Sequence, residues 1–365
     1  MVSLKNCNIL DFIQLIQQYE VYCFGCGMQA EAFFHKYGMF HLEEYVSGFI
    51  DNNIDKTNEF KKINGKEIPI YSFDQFVKRK NTKTLVLTTS KFCTDMIEQM
   101  DKEKQLNGMP CYIDLLIESE YKEQQIRHTQ GNKNKIPKII HYCWFGKRAI
   151  PSEFEKYIET WKEKCPDYEL MRWDEKNYDI GGCKYIRQAY DVEKWAFVSD
   201  YARLDVVYKY GGIYLDTDVE LLKNLDDFLY DDMFCGFERN NYVAFGLGFG
   251  AIKGHEILGN LLARYHSMDF YEEKLTPCVI YQHEEVMRNG FKATNEYQCK
   301  NGVALYPSEV FCPYDLYGLK EHFTKNTYSI HHYSSTWWEK DIESSNLHLR
   351  DKLKQYILRV EQSKE

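Results

Sequence analysis

The sequence has no long hydrophobic run, no excess of positive charge and no second cysteine pair of the kind that binds zinc. A membrane-spanning helix needs a run of about 18 apolar residues, and no stretch of this 365-residue sequence approaches that length. The first twenty residues lack the basic start and the apolar block of a secretion signal. The net charge of −9 argues against a general nucleic-acid-binding protein, which needs a basic surface. We therefore expect a cytoplasmic protein, with the inner face of the membrane as an open alternative.

The 12 cysteines are scattered along the chain. Cys23 and Cys26 form a C-x-x-C pair, but a structural zinc site of this type needs a second pair, and none exists. Without a secretion signal, the cysteines are expected to be reduced thiols.

The order of strand and helix patterns predicts an α/β protein with two domains. Residues 1–118 alternate strand and helix signals, which is typical of a Rossmann-like, parallel, doubly wound sheet. Residues 119–135 are polar and are predicted to form a linker, and residues 136–340 form a second α/β domain. Residues 341–365 are predicted to contain an amphipathic helix. Docking onto the protein is the favoured role of this helix, and a role at a membrane surface or in a homo-oligomer stays open.

A glycine-rich loop follows the second predicted strand of the first domain. Gly25, Gly27 and Ala30 fit the spacing G-x-G-x-x-[GA], and Asp51 closes the next strand. Such glycines let a phosphate approach the start of a helix, and the acid can bind ribose hydroxyls. The stretch resembles the small Rossmann-like domains attached to bacterial sugar-modifying enzymes. A second nucleotide site and an empty scaffold are both consistent with this pattern.

In the second domain, paired acids follow a long apolar helix pattern and two glycines. Asp200 and Arg203 are three residues apart, so they share one face of that helix. The stretch IYLDTDV predicts a strand that places Asp216 and Asp218 on one side. Two adjacent carboxylates repel each other unless a cation or a proton lies between them, and oxygen ligands suit Mn²⁺ or Mg²⁺. A structural salt bridge and solvated strand-end acids are the simpler alternatives.

The ordered block FVSDYARLDVVYKYGGIYLDTDVELLKNL resembles the signature of the glycosyltransferase sugar-binding region containing the DXD motif. This family includes bacterial capsule-type transferases, fungal initiating mannosyltransferases and the catalytic domains of large clostridial glucosylating toxins. For residues 136–340, the resemblance implies a GT-A fold with a mixed sheet. It also implies transfer of a hexose from a nucleotide sugar with retention of anomeric configuration.

The resemblance also implies a set of donor-binding residues. Trp144, at the end of the opening strand IIHYCWFG, would stack on uracil, with Phe145 beside it. Asp200 and Arg203 would bind the hydroxyls of the donor sugar, with Ser199 nearby. Core packing is the simpler explanation for Trp144.

The metal ligands implied by the resemblance come from two distant parts of the chain. Asp218 would contact the metal directly, and Asp216 would reach the ribose and the water shell of the metal. His332, in the stretch IHHYSSTWW, would complete the site, with His331 as the competing ligand.

The resemblance implies three further donor-binding residues, Tyr214, Ser335 and Trp337. Trp337 would donate its indole N–H to the diphosphate. Many relatives have a T-G-P stretch, whereas this chain offers only Thr276-Pro277, so its acceptor side departs from the pattern. Residues 240–256 are expected to line that side.

Together these observations predict a metal-dependent retaining hexosyltransferase that uses a UDP-sugar carrying galactose, glucose or an N-acetylhexosamine. The acceptor would be a saccharide or a lipid-linked saccharide, as in the synthesis of capsule or other surface polysaccharides. Because no carboxylate stands out as a covalent nucleophile, a front-face reaction is favoured. A haloacid-dehalogenase-like phosphatase and a non-catalytic nucleotide-sugar-binding protein are the alternative functions.

Overall fold

The computed structural model describes residues 1–117, 123–271, 276–314, 321–334, 349, 351–358 and 360. The chain divides into two compact units, one of residues 1–122 with 341–365 and one of residues 123–340. Within the described ranges, no helix is both long enough and apolar enough to cross a membrane.

The first unit alternates strands with helices along the chain. Its strands are β1 (Ser3–Lys5), β2 (Glu20–Phe24), β3 (Val46–Ile50), β4 (Phe60–Ile63), β5 (Lys66–Tyr71), β6 (Thr84–Thr88) and β7 (Pro110–Ile113). Its helices are α1 (Ile9–Ile16), α2 (Met28–Lys36), α3 (Phe73–Arg79) and α4 (Cys93–Lys102).

The seven strands of the first unit form one sheet in the order β1-β7-β6-β2-β3-β5-β4. Neighbouring strands are parallel except β4 and β5, which are antiparallel. All five residues of β6 are buried, as expected for a central strand with a covered surface on both faces. The prediction of a parallel sheet in an α/β unit is therefore confirmed.

The second unit begins with a strand and has its helices between strands. Its strands are β8 (Ile139–Cys143), β9 (Glu169–Trp173), β10 (Gly212–Tyr214), β11 (Val219–Leu221), β12 (Met233–Gly236), β13 (Phe249–Ala251), β14 (Gln298–Lys300), β15 (Val303–Tyr306) and β16 (Ser329–His331). Its helices are α5 (Ser152–Lys164), α6 (Lys184–Asp191), α7 (Trp195–Tyr210), α8 (Glu256–His266), α9 (Cys278–Arg288) and α10 (Ser308–Phe311).

A mixed sheet in the order β14-β15-β12-β13-β10-β8-β9 forms the centre of the second unit. Strand β10 is parallel to β8 and antiparallel to β13, so the mixed sheet implied by the resemblance is present. Strands β11 and β16 form a separate antiparallel pair. Helix α7 is buried on nearly every side, with ten buried residues of its sixteen, because it lies within the larger hydrophobic core.

The two segments that flank the second domain differ from simple connections. Residues 123–135 of the predicted linker belong to the second unit. They are held there by polar contacts: the Thr129 hydroxyl donates to Asp231, and Tyr297 donates to the Arg127 carbonyl. Residues 341–365 belong to the first unit, where Leu349 and Leu353 are buried.

Candidate active site

The two acids of the D-x-D lie in a turn between β10 and β11. The sequence predicts one continuous strand here, but β10 ends at Tyr214 and β11 begins at Val219. The turn is closed by a hydrogen bond from the Val219 N–H to the Asp216 carbonyl, 3.0 Å long. Strand alternation therefore does not explain why Asp216 and Asp218 lie together. The turn itself brings their side chains to one place.

Arg203 connects the helix acid to the first acid of the D-x-D. Its guanidinium donates to both oxygens of Asp216, at 3.0 and 3.3 Å, and lies 3.2 Å from Asp200. The Tyr214 hydroxyl donates to Asp216 at 2.9 Å. Arg203 and Asp200 are both buried, so the pair is protected from water and its geometry is fixed.

Burial dominates the electrostatics of this cluster. It is the main reason that the pKa of Asp216 lies above its ordinary value; Arg203 opposes this shift, and the charge of Asp218 adds to it. Burial also raises the pKa of Asp200, again against the effect of Arg203. Two carboxylates thus share one arginine, and the third, Asp218, adds negative charge beside Asp216, so a further positive charge would stabilise the cluster.

The histidine beside the two acids is His331. Its Nε2 lies 3.4 Å from Asp218 Oδ1, and Asp216, Asp218 and His331 each offer a ligand atom within 4.8 Å of the other two. The register of the small sheet explains this position, because His331 pairs with Val219, the residue after Asp218.

His332, the ligand predicted from the sequence, lies elsewhere in the structure. Its Nε2 is 2.9 Å from Glu220 Oε2, and its ring stacks on Tyr157 with the ring centroids 4.3 Å apart. Successive side chains of an extended segment point to opposite faces, so only one of two adjacent histidines can face the acids. The geometry therefore replaces His332 with His331 beside the D-x-D.

The three side chains fit a divalent cation. In an octahedral Mg²⁺ site with ligand distances of about 2.05 Å, neighbouring ligand atoms are about 2.9 Å apart and opposite ones about 4.1 Å apart. The ligand atoms of Asp216, Asp218 and His331 lie within 4.8 Å of one another, which exceeds the distance between opposite ligands by well under 1 Å. Within the described residues, His331 Nδ1 has no hydrogen-bond partner, and the Ser334 N–H already holds Asp218 Oδ2 at 2.8 Å. Asp218 Oδ1 is the oxygen that faces His331.

The predicted base-stacking residues lie at the end of β8. Trp144 is half-buried, donates its indole N–H to the Arg148 carbonyl and contacts the ring of Phe154 edge-on. Phe145 is buried and packs edge-on against Tyr178, as a core residue does.

The structure also shows where the end of β8 and the predicted donor-site residue Ser199 lie. Cys143, directly before Trp144, lies within range of the charges of Arg203 and Asp216, so β8 ends beside the acid cluster. Ser199 donates its hydroxyl to the Trp195 carbonyl within α7. Ser335 and Trp337 lie outside the described residues.

Sequence reasoning did not single out three residues that the fold brings to the cluster, although one of them, Gly246, lies within the predicted range 240–256. Cys278, the first residue of α9, lies 3.9 Å from the Arg203 guanidinium. Gly246 packs so closely on the cluster that a Cβ there would lie 2.5 Å from Asp216 Oδ2. Glu238 follows β12. Burial raises the pKa of Glu238, and the charge of His331, which lies nearby, opposes that rise.

Only Glu238 carried a usable signal. It is an acid two residues after a buried strand, MFCG, which is the pattern that drew attention to the D-x-D. Residues 240–256, expected on the acceptor side, do include Asn240, which donates to Glu238, and Gly246.

The predicted second nucleotide site has its parts together in the first unit. The Gly25 N–H donates to the Ile50 carbonyl at 2.8 Å, and Gly27 lies at the start of α2. Asp51 accepts hydrogen bonds from the thiol and the N–H of Cys26, at 2.8 and 3.4 Å.

Comparison with known proteins gives one family and several relatives. The family described as glycosyltransferase sugar-binding region containing DXD motif matches residues 151–235. Inositol phosphoceramide mannosyltransferase 3 of Schizosaccharomyces pombe is 33% identical over 103 residues, which are 26% of this chain and 28% of that protein. An uncharacterized glycosyltransferase of Acanthamoeba polyphaga mimivirus is 36% identical over 104 residues, 26% of this chain and 40% of that protein.

More distant similarities follow. The initiation-specific alpha-1,6-mannosyltransferase of Candida albicans is 26% identical over 140 residues, 35% of this chain and 36% of that protein. The chain therefore spans less than half the length of these curated relatives. Among solved structures, the galactosyltransferase LgtC with donor and acceptor sugar analogues has a TM-score of 0.32 at 14% identity, covering 59% of this chain and 95% of that chain.

The matched region contains the long helix, the Asp200–Arg203 pair and both acids of the D-x-D, which are the residues that carried the resemblance in the sequence. This chain therefore contains a region, residues 151–235, that matches the family of glycosyltransferase sugar-binding regions that contain the DXD motif.

Proposed function

We propose that the second unit is a metal-dependent retaining hexosyltransferase that moves a sugar from a nucleotide-sugar donor to a saccharide or lipid-linked saccharide acceptor. The observation that carries this proposal is the continuous cluster of Asp200, Arg203, Asp216, Asp218 and His331. It combines a polar pair suited to sugar hydroxyls with three ligands suited to a divalent cation. Synthesis of capsule or other surface polysaccharide is the role that we infer for such a transfer.

Asp216, Asp218 and His331 would hold the cation, Mn²⁺ or Mg²⁺. When bound, the cation would neutralise charge on the diphosphate leaving group. The protein holds these ligands in place without the cation: Arg203 and Tyr214 fix Asp216.

Asp200 and Arg203 are suited to bind the donor sugar. A carboxylate and a guanidinium 3.2 Å apart can accept from and donate to neighbouring hydroxyls of one hexose. Because the pair is buried, it can fix the orientation of the anomeric carbon, and a fixed orientation supplies much of the rate enhancement in group transfer.

Glu238 is placed to bind the acceptor. It follows β12 near His331, with Asn240 donating to its Oε2 at 3.1 Å, and its other oxygen can accept from a hydroxyl. In the front-face reaction that we favour, the acceptor hydroxyl attacks the anomeric carbon and its proton passes to the departing phosphate. Glu238 would then position the hydroxyl without forming a bond to the sugar.

The phosphatase alternative is weakened by the surroundings of Asp216. An aspartyl nucleophile needs a carboxylate that is not neutralised by a neighbouring cation, whereas Asp216 is paired with Arg203 and accepts from Tyr214, contacts that lower its nucleophilicity. The structure thus favours a binding role for this acid.

Release of nucleoside diphosphate from a panel of nucleotide sugars tests the proposal. The panel holds UDP-galactose, UDP-glucose, UDP-N-acetylhexosamines and a mannose nucleotide, since two of the relatives are named mannosyltransferases. Each donor is assayed with Mn²⁺, with Mg²⁺ and with EDTA. NMR of the transfer product then reports the anomeric configuration.

Asp218→Ala should abolish turnover while the protein stays folded, and Asp191→Ala, which removes an exposed acid of the same unit, should not. Near-normal turnover of Asp218→Ala in excess Mn²⁺ would show that the D-x-D does not hold a cation. Glu238→Gln should keep donor affinity and lose turnover.

A further inference from the structure

The strand order of the first unit reverses at the carboxyl edge of its parallel sheet. Strands β2 and β6 are neighbours, yet the chain leaving β2 continues to β3 on one side and the chain leaving β6 continues to β7 on the other. In parallel sheets of this kind, such a reversal forms a crevice between the two loops, and ligands bind there. The residues at this crevice belong to the first unit, and the Asp200 and D-x-D cluster belongs to the second.

The loop after β2 lies closely against the loop after β6. Gly25 has φ +104, and a Cβ there would lie 2.8 Å from the Thr89 carbonyl oxygen and 2.9 Å from Ser90 Cβ. The Thr89 hydroxyl also donates to the Gly25 carbonyl. The floor of the crevice is therefore made of backbone that only glycine can form at this point.

One side of the crevice can accept a phosphate. Helix α2 begins after Gly27, and no side chain caps its first turn. A Cβ built on Gly27 would meet no atom within 4 Å, so the space in front of the helix is open. Uncapped N–H groups at a helix N-terminus attract anions.

Asp51 supplies a carboxylate at the end of β3. The Asn53 N–H donates to its Oδ1 at 2.8 Å, and Cys26 donates to its Oδ2. Burial would raise the pKa of Asp51, but the hydrogen bonds from Cys26 and Asn53 outweigh that effect and keep it below its ordinary value. The ionised group retains lone pairs that can accept from ribose hydroxyls.

A second carboxylate, Asp114, lies after β7 and indicates that the crevice takes a ligand. It is only 4% exposed, and the Gln29 amide, in the first turn of α2, donates to its Oδ2 at 2.7 Å. Its Oδ1 has no partner among the described residues. A buried acceptor without a donor is unfavourable, and a hydroxyl or amide N–H from a ligand would satisfy it.

We propose that the first unit binds a dinucleotide with a free ribose 2′,3′-diol, of the chemical class of NAD⁺. The diol hydrogen-bonds to Asp51, the diphosphate lies over Gly27 at the start of α2, and the far end donates to Asp114. From β3 through β2 and β6 to β7 is three strand spacings, about 14 Å. That span suits an extended dinucleotide better than a mononucleotide. The proposal does not depend on the function of the second unit.

Calorimetric titration of the full chain with NAD⁺, in EDTA to exclude metal-dependent binding elsewhere, tests the inference. We expect saturable binding that weakens at least tenfold in Asp51→Asn and in Gly27→Ala. The matched controls are Asp55→Asn, an exposed acid on the same loop, and Gly38→Ala, a second glycine with open space around its Cβ. Both controls should bind as the unchanged protein does, and melting temperatures confirm that all four variants fold.

Two further arms locate the ligand. NADP⁺ should bind at least tenfold more weakly than NAD⁺, because its 2′-phosphate would face the Asp51 carboxylate. Asp218→Ala, which changes the other unit, should leave NAD⁺ binding intact. The inference is overturned by an absence of saturable NAD⁺ binding at millimolar concentration, by binding that Asp51→Asn and Gly27→Ala leave unchanged, or by loss of binding in Asp218→Ala.

Discussion

Replacing His331 or His332 by alanine gives the sharpest test of the candidate metal site, because the two residues are neighbours and the substitutions are identical. Of these two histidines, only His331 has a ring nitrogen within 4.8 Å of ligand oxygens of both Asp216 and Asp218. We therefore expect His331→Ala to weaken Mn²⁺ binding at least tenfold and His332→Ala to leave it unchanged.

The geometry sets the size of both effects. In the proposed site His331 would supply one of three protein ligands, and loss of a tenfold affinity corresponds to about 1.4 kcal/mol. His332 lies within hydrogen-bond distance of Glu220 and stacks on Tyr157, and the side chains of His332 and Glu220 are both about 30% exposed. Contacts of this kind contribute about 1 kcal/mol to stability, so His332→Ala should lower the melting temperature by a few degrees at most.

Isothermal titration of each variant with Mn²⁺, followed by assay of nucleoside diphosphate release, provides the measurement. Loss of Mn²⁺ binding in His332→Ala with normal binding in His331→Ala would refute the register that places His331 next to the D-x-D. Equal binding in both variants and the unchanged protein would mean that neither histidine is a ligand.

Three more variants probe the donor site and the first unit. Asp200→Asn should reduce donor affinity or turnover by about 1.5–3 kcal/mol for a lost charged hydrogen bond while binding of free UDP is kept; equal losses for both would contradict a sugar-binding role. Trp144→Ala should weaken UDP binding by about 1–3 kcal/mol with a small change in melting temperature, and unchanged UDP affinity would return this residue to a packing role. Asp114 has a pKa raised to about 7 by burial, so the stability that its neutral form provides is present below pH 4 and lost as the pH rises towards 7. Relative to Asp114→Asn, the free energy of unfolding should therefore fall by up to about 4 kcal/mol over this range, and parallel curves for the two proteins would show that Asp114 titrates normally.

Local patterns were enough to predict most of what lies close together in the chain. The glycine loop, α2 and Asp51 occur in the predicted order, because strand, turn and helix signals are local. Asp200 and Arg203 share a helix face for the same reason.

Relations between distant segments could not be predicted in the same way. The sequence left His331 and His332 as alternatives, and the choice depends on the register between β11 and β16, which no local pattern encodes. The polar stretch before β8 suggested a linker, yet Thr129 and its neighbours join the second unit through hydrogen bonds to remote residues. Glu238 is brought to His331 only by the fold of the sheet.

The family match covers a shorter stretch of the chain than the folded unit does. This difference matters for any attempt to isolate the sugar-binding region. Strand β10, which leads into the D-x-D, pairs with β8 on one edge and β13 on the other, and both partners lie outside residues 151–235. An excised 151–235 fragment would expose both edges of β10 and would lack β16, which carries His331. Unpaired strand edges promote aggregation, so such a fragment should be insoluble or unfolded. A fragment designed to keep the proposed transferase site should therefore follow the second compact unit, from Glu123 to Lys340.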